Sequence, residues 1–143
     1  MNEAPYLRQI RQMIREVKAA NSCCEYAALL MKKHRKPRLN RRDKRIFMQF
    51  VTLVRQKFPD ARIWAFGSRV NGTAREWSDL DVCIVLPILN EAIEKQIRYF
   101  AWEVGFEHEL VISTVMYSAE AFERGPCSQS SLVHNILTQG VRA

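Results

Sequence analysis

Two aspartates, Asp79 and Asp81, stand one residue apart at the mouth of an apolar run, Leu80 to Leu86. Ten residues separate Asp79 from Ser68, which follows Gly67 and precedes Arg69 in the stretch "FGSRVNGTAREWSDLDVCIVL". Side chains alternate along a strand, so both aspartates face one way while Leu80, Val82, Ile84 and Leu86 face a core. Carboxylates about 6–7 Å apart by strand geometry raise each other's pKa unless a cation lies between them. Magnesium meets that need, because it takes a few carboxylates and keeps water and phosphate oxygens as its other ligands. Gly67 lets the backbone approach a phosphate closely, and Ser68 adds a hydroxyl donor. Arg69 adds a permanent charge with a forked geometry suited to phosphate oxygens. A phosphate loop followed by a carboxylate pair is the equipment of phosphoryl or nucleotidyl transfer.

The elements that must hold these residues can be read from periodicity and punctuation. Leu7, Ile10, Met13, Ile14 and Val17 recur at helical spacing over residues 5–19, and Ser22–Glu25 has the form of a capping box for a second helix that Pro37 ends. Asn40 caps a third helix whose buried face is Ile46, Phe47, Phe50, Val51 and Val54. "RIWAF" (62–66) and "LDVCIVL" (80–86) read as strands, stopped by Gly67 and Pro87. Asn90 caps a long helix bearing Ile93, Ile97, Phe100, Ala101 and Val104. "EHELVISTV" (107–115) reads as a third strand, Ser118 caps a short helix that Gly125-Pro126 ends, and a last helix around 129–139 stops at Gly140. The pattern predicts an α/β or α+β domain with a small sheet. Residues 1–37 form an N-terminal helical extension and residues 38–143 the main domain. Trp64, Trp77 and Trp102 read as packing residues, with Trp77 beside Ser78 also placed to border a ligand.

At 143 residues and 48% hydrophobic content, one core-forming domain is the expectation. No apolar run approaches the roughly 20 residues of a membrane span, and the charged N-terminus lacks the apolar block of a secretory signal. These features predict a cytoplasmic protein. Cys23, Cys24, Cys83 and Cys127 form no C-x-x-C pair and have no histidine at ligand spacing, so reduced structural thiols are expected. Of the formal charge of +7, the segment 32–45, "KKHRKPRLNRRDKR", holds a local +8, leaving about −1 elsewhere. Such a block suits nucleic acid or an acidic partner surface.

The stretch "GSRVNGTAREWSDLDV" resembles the G-S-x10-D-x-D signature of the DNA polymerase β-like nucleotidyltransferase superfamily, and most closely its minimal nucleotidyltransferase branch. Gly67, Ser68, Arg69, Gly72, Ser78, Asp79 and Asp81 fall on that pattern, while Val70-Asn71 replace the commoner Ala-Arg. The resemblance spans about residues 41–141 and implies the nucleotidyltransferase fold, a small mixed sheet flanked by helices. It also implies a third carboxylate from the strand beside the D-x-D strand. Within "FEHELVIST" that residue is Glu109, with Glu107 as the alternative.

The resemblance implies nucleotidyl transfer with two Mg2+ ions and ATP as donor. Asp79, Asp81 and Glu109 would be the catalytic and metal-binding carboxylates, and Gly67, Ser68, Arg69 and Ser78 the nucleotide-binding residues. It implies an AMP moved to a hydroxyl of a macromolecular acceptor, and the branch suggests a tyrosine of a partner HEPN-type toxin, with this chain as antitoxin. Two other readings stay open. One is a catalytically weak module that neutralises a partner protein by binding it. The other is a nucleic-acid-binding protein using residues 32–45.

Overall fold

A computed structural model describes Gln12 and residues 37–143 of the chain. The helices expected over 5–19 and after Ser22, the pair Cys23-Cys24, and the basic residues before 37 lie outside the described residues.

Helix α1 (Arg41–Lys57) begins at Asn40, whose side-chain oxygen accepts the Asp43 amide at 2.7 Å. That bond satisfies one of the amides a helix start leaves orphaned. The face Ile46, Phe47, Phe50, Val51 and Val54 is buried as its spacing requires. Strand β1 (Arg62–Phe66) then leads through Gly67 into a single turn, α2 (Ser68–Asn71), and a loop to β2 (Leu80–Leu86). Helix α3 (Glu91–His108), capped by Asn90, crosses to β3 (Ile112–Ser118). Ser118 caps α4 (Ala119–Glu123), a 3-10 turn follows at Pro126–Gln129, and Ser130 caps α5 (Ser131–Gln139). Strand β4 (Val141–Arg142) closes the described chain.

The sheet order is β3-β2-β1-β4, with β1 antiparallel to β2 and β4, and β3 parallel to β2. Alternation gives it two different faces. On one, Ile63, Ala65, Leu80, Val82, Ile84 and Leu86 pack beneath α1 and α3 in the main core. On the other, Trp64, Cys83 and Val85 meet Phe122, Val133 and Ile136 from α4 and α5. Trp64 stacks on Phe122 with ring centroids 5.5 Å apart. Phe66, Asp81 and Ser113 share this second face, by register, at the end where β2 and β3 begin.

One expected strand is displaced. Residues 107–109 are not in β3, because α3 runs on to His108 and β3 starts only at Ile112. The helix stops at Glu109, which adopts a left-handed conformation (φ 52°), and the Leu110 amide donates back to the Gly105 carbonyl at 2.9 Å. This is the six-to-one bond of a Schellman end. It brings the Leu110 carbonyl so close to Gly105 that a Cβ there would overlap it. Trp77 and Trp102, expected in the interior, are 76% and 61% exposed. Among the described residues no helix is long and apolar enough to cross a membrane.

Candidate functional site

The carboxylate pair and the glycine-serine loop form one site because β1 and β2 are antiparallel. Phe66 pairs with Asp81, so the chain leaving β1 at Gly67 passes directly over the aspartate. Gly67 has φ +79°, a conformation open to glycine alone at little cost, and a Cβ there would collide with the Asp81 carboxylate. Backbone and carboxylate are thus held in a contact that only glycine permits. Ser68 is the first residue of α2, where amides lie ahead of any partner within the turn.

Asp81 is half-buried and Asp79 exposed. Burial first, and the neighbouring Asp79 charge second, push the Asp81 pKa above the usual carboxylate value. Next on the same face, Cys83 is fully buried, and burial pushes its thiol up to about 12. A neutral, enclosed thiol is a packing group and no nucleophile.

Arg69, expected on the phosphate, is turned the other way. Its Nε donates to the Ser78 carbonyl at 2.8 Å and its Nη2 to the Glu76 carbonyl at 3.1 Å. Its Nη1 reaches both carboxylate oxygens of Asp43, at 3.2 and 3.1 Å. The two side chains are 7% and 1% exposed, so the pair is sealed from water. Asn40 Nδ2 adds a further donor to Asp43 at 3.0 Å. Arg69 is therefore a strut that pins the loop before Asp79 onto α1. Ser78 belongs to the same scaffold, its hydroxyl accepting the Arg75 amide at 2.8 Å.

The residue beside Asp81 across the parallel ladder is Ser113, not a glutamate. Glu109 is the cap of α3 and lines a cleft with Thr114, which register places on the opposite face of the sheet. Glu107 lies on α3 and accepts a hydrogen bond from Gln49 Nε2 at 2.7 Å. Neither joins Asp79 and Asp81. Among the described residues no three His, Cys, Asp or Glu side chains stand close enough to hold a metal together. The pair, with one carboxylate destabilised by burial and by its neighbour and a glycine-built approach above it, fits one divalent cation carried in with phosphate oxygens. A second ion needing a third carboxylate at Ser113 does not fit. Sequence alone carried no signal for Ser113, whose role depends on the β2–β3 register, or for Asp43, which meets Arg69 across 26 positions. The described part of the basic segment leaves Arg41, Arg42, Lys44 and Arg45 exposed at the start of α1. Arg42 donates from there to the His108 carbonyl at 2.7 Å.

Comparison with known proteins gives one curated relative, a probable protein adenylyltransferase, MntA, of Haemophilus influenzae. It is 53% identical over 34 residues, which is 24% of this chain and 30% of the relative. This chain thus matches less than a third of that protein's length. A crystal structure of a mutant MntA–HpeT toxin–antitoxin is similar at a TM-score of 0.47 and 19% identity, over 73% of this chain and 72% of that one. A second, of a toxin–antitoxin with AMP-PNP, gives 0.47 and 20% identity, over 66% and 69%. The family model described as a nucleotidyltransferase domain matches residues 47–131, from α1 through the carboxylate pair to the start of α5, and the chain belongs to that family.

Proposed function

We propose that the chain is a metal-dependent adenylyltransferase that moves AMP from ATP to a hydroxyl of a protein acceptor, a tyrosine of a partner HEPN-type toxin, and so acts as an antitoxin. The observation that carries this reading is the contact of Gly67 with Asp81, which joins the phosphate loop and the carboxylate pair into one site. The relative named as a protein adenylyltransferase supports the donor and the acceptor class.

In this reading Ser68 and the amides opening α2 bind the phosphate chain, and Asp79 and Asp81 hold a magnesium ion. When bound, that ion supplies charge neutralisation to the triphosphate. The Arg69–Asp43 strut fixes the loop so that donor and carboxylates meet in one orientation. The acceptor hydroxyl gives up its proton to solvent as its oxygen bonds to the α-phosphorus, the α–β phosphoanhydride breaks, and pyrophosphate leaves.

The test is to incubate full-length chain, magnesium and labelled ATP with proteins that co-purify with it. Label on a partner tyrosine that disappears with Asp81→Ala supports the reading. Tight partner binding with no transfer of label sinks it and leaves the neutralising binding module. Ser113 at the position beside Asp81 is the observation that favours that second reading.

A further inference from the structure

The row of the sheet that runs through Asp81 carries a single charge. Its ladder partner on β1 is Phe66, and its partner on β3 is Ser113. By alternation the next row inward on that face is Trp64, Cys83 and Val115, with Trp64 and Cys83 buried. Carboxylates elsewhere on the domain are committed or turned away. Asp43 gives both oxygens to Arg69. Glu123 pairs at 2.7 Å with Arg62, which register sets opposite Val85, well along β2 from Asp81. Glu107 is held by Gln49, and Glu109 lies beside Thr114 at the cleft on the opposite face.

This row bears on how many cations the site can take. A magnesium ion wants about six oxygens, which Asp79, Asp81, phosphate oxygens and water can supply together. Without the phosphates two carboxylates make a poor cage, because magnesium is reluctant to give up its water. Transfer with two ions sets them about 3.5–4 Å apart, where two dications repel roughly four times as strongly as two single charges. A carboxylate across the ladder from Asp81 would offset that repulsion. The hydroxyl of Ser113 is neutral and does not.

Resting on the transfer reading, we propose that the site takes one divalent cation, that this cation enters and leaves with the nucleotide, and that Ser113 sets the number.

Manganese, which shares magnesium's preference for oxygen ligands, allows the ions to be counted by electron paramagnetic resonance. The full-length chain is titrated with Mn2+, with and without an ATP analogue whose α–β bridge resists cleavage. With the analogue the wild type binds one Mn2+ per chain. The analogue raises the affinity for Mn2+ about 10–100-fold, and Mn2+ raises the affinity for the analogue by the same factor. Ser113→Asp binds two ions, whose spins couple as expected for a separation of about 4 Å. Ser113→Asn, with the shape of aspartate but not its charge, still binds one. Melting of each variant checks its folding, and the wild-type count decides where a variant does not fold. Two ions in the wild type overturn the proposal and leave the transfer reading standing. Mn2+ held as tightly without the analogue as with it overturns the proposal too, as does a folded Ser113→Asp variant that binds one ion. A chain that binds neither the analogue nor Mn2+ overturns both the proposal and the transfer reading.

Discussion

Asp43 and Asp81 lie on the two sides of the same loop, and they are treated in opposite ways. Asp43 is 1% exposed, yet it receives Arg69 on both oxygens and the side-chain amide of Asn40. Asp81 is half-buried beside another carboxylate, and its pKa is pushed up by that environment. Arg69, which directly follows the glycine–serine pair, is spent on the first, where it locks the loop, and is turned away from the second. A fold that had only to avoid charge repulsion would have turned Arg69 toward the pair. The difference separates a scaffold completed by protein groups on one side from a half-buried carboxylate beside a like charge on the other, the side on which the proposed function seats its cation.

The largest expected effect falls on the open side. Asp81→Ala or Asp79→Ala lowers labelled-AMP transfer on the order of a thousandfold, since several kcal/mol of charge stabilisation rests on the pair. Urea unfolding of both variants stays near wild type, and a variant that lost activity only by unfolding would erase the distinction between the two sides. On the closed side, Arg69→Ala costs about 3–5 kcal/mol of unfolding free energy by leaving Asp43 buried and unpaired. Replacing both partners with Arg69→Met/Asp43→Leu recovers most of that loss in the same urea titration. If Arg69→Ala left stability intact and raised the KM for ATP, the guanidinium would belong to the phosphate after all.

Two substitutions probe the contact between the sides. Gly67→Ala costs about 1–2 kcal/mol through its positive φ, and the new methyl displaces Asp81, so transfer falls further than stability alone accounts for. Ser113→Asp supplies a carboxylate beside Asp81. The expected result is tighter magnesium dependence and transfer raised about tenfold. A drop in rate with Ser113→Asp would mean that the site works with two carboxylates and a serine by design.

The local grammar of the chain was legible. Asn40, Asn90 and Ser118 cap the helices their neighbours suggested, because a cap is a bond to an amide three residues on. Strands 62–66 and 80–86 stood out as apolar runs with sharp stops. The third strand starts later than its sequence suggests because α3 ends at Glu109 without glycine or proline, so the apolar core of "ELVIST" reads as a strand from its first residue. A strand that began there would bring Glu109 or Glu107 toward Asp81, where the register places Ser113. The charge of Arg69 and its place after the glycine–serine pair point to phosphate, whereas in the fold it binds Asp43 of α1. The two-residue β4 is too short to show a period at all. What the sequence hid was in each case a pairing between distant segments.

The smallest effect is the most direct measure of the difference between Asp43 and Asp81. Because the Asp81 pKa is raised in the fold, the native state binds this proton more tightly than the unfolded chain does. Stability therefore falls as pH climbs from the ordinary carboxylate pKa through the raised one. Asp81→Asn removes that slope. In chelator at neutral pH the variant melts about 2 °C above wild type, and the gain vanishes at pH values below the ordinary carboxylate range, where both aspartates are protonated in either state. Magnesium with ATP then raises the wild-type midpoint and leaves the variant's nearly unchanged, reversing their order. A variant that melts below wild type in chelator would show that Asp81, like Asp43, already has its partner within the protein, and the open side of the loop would not be open.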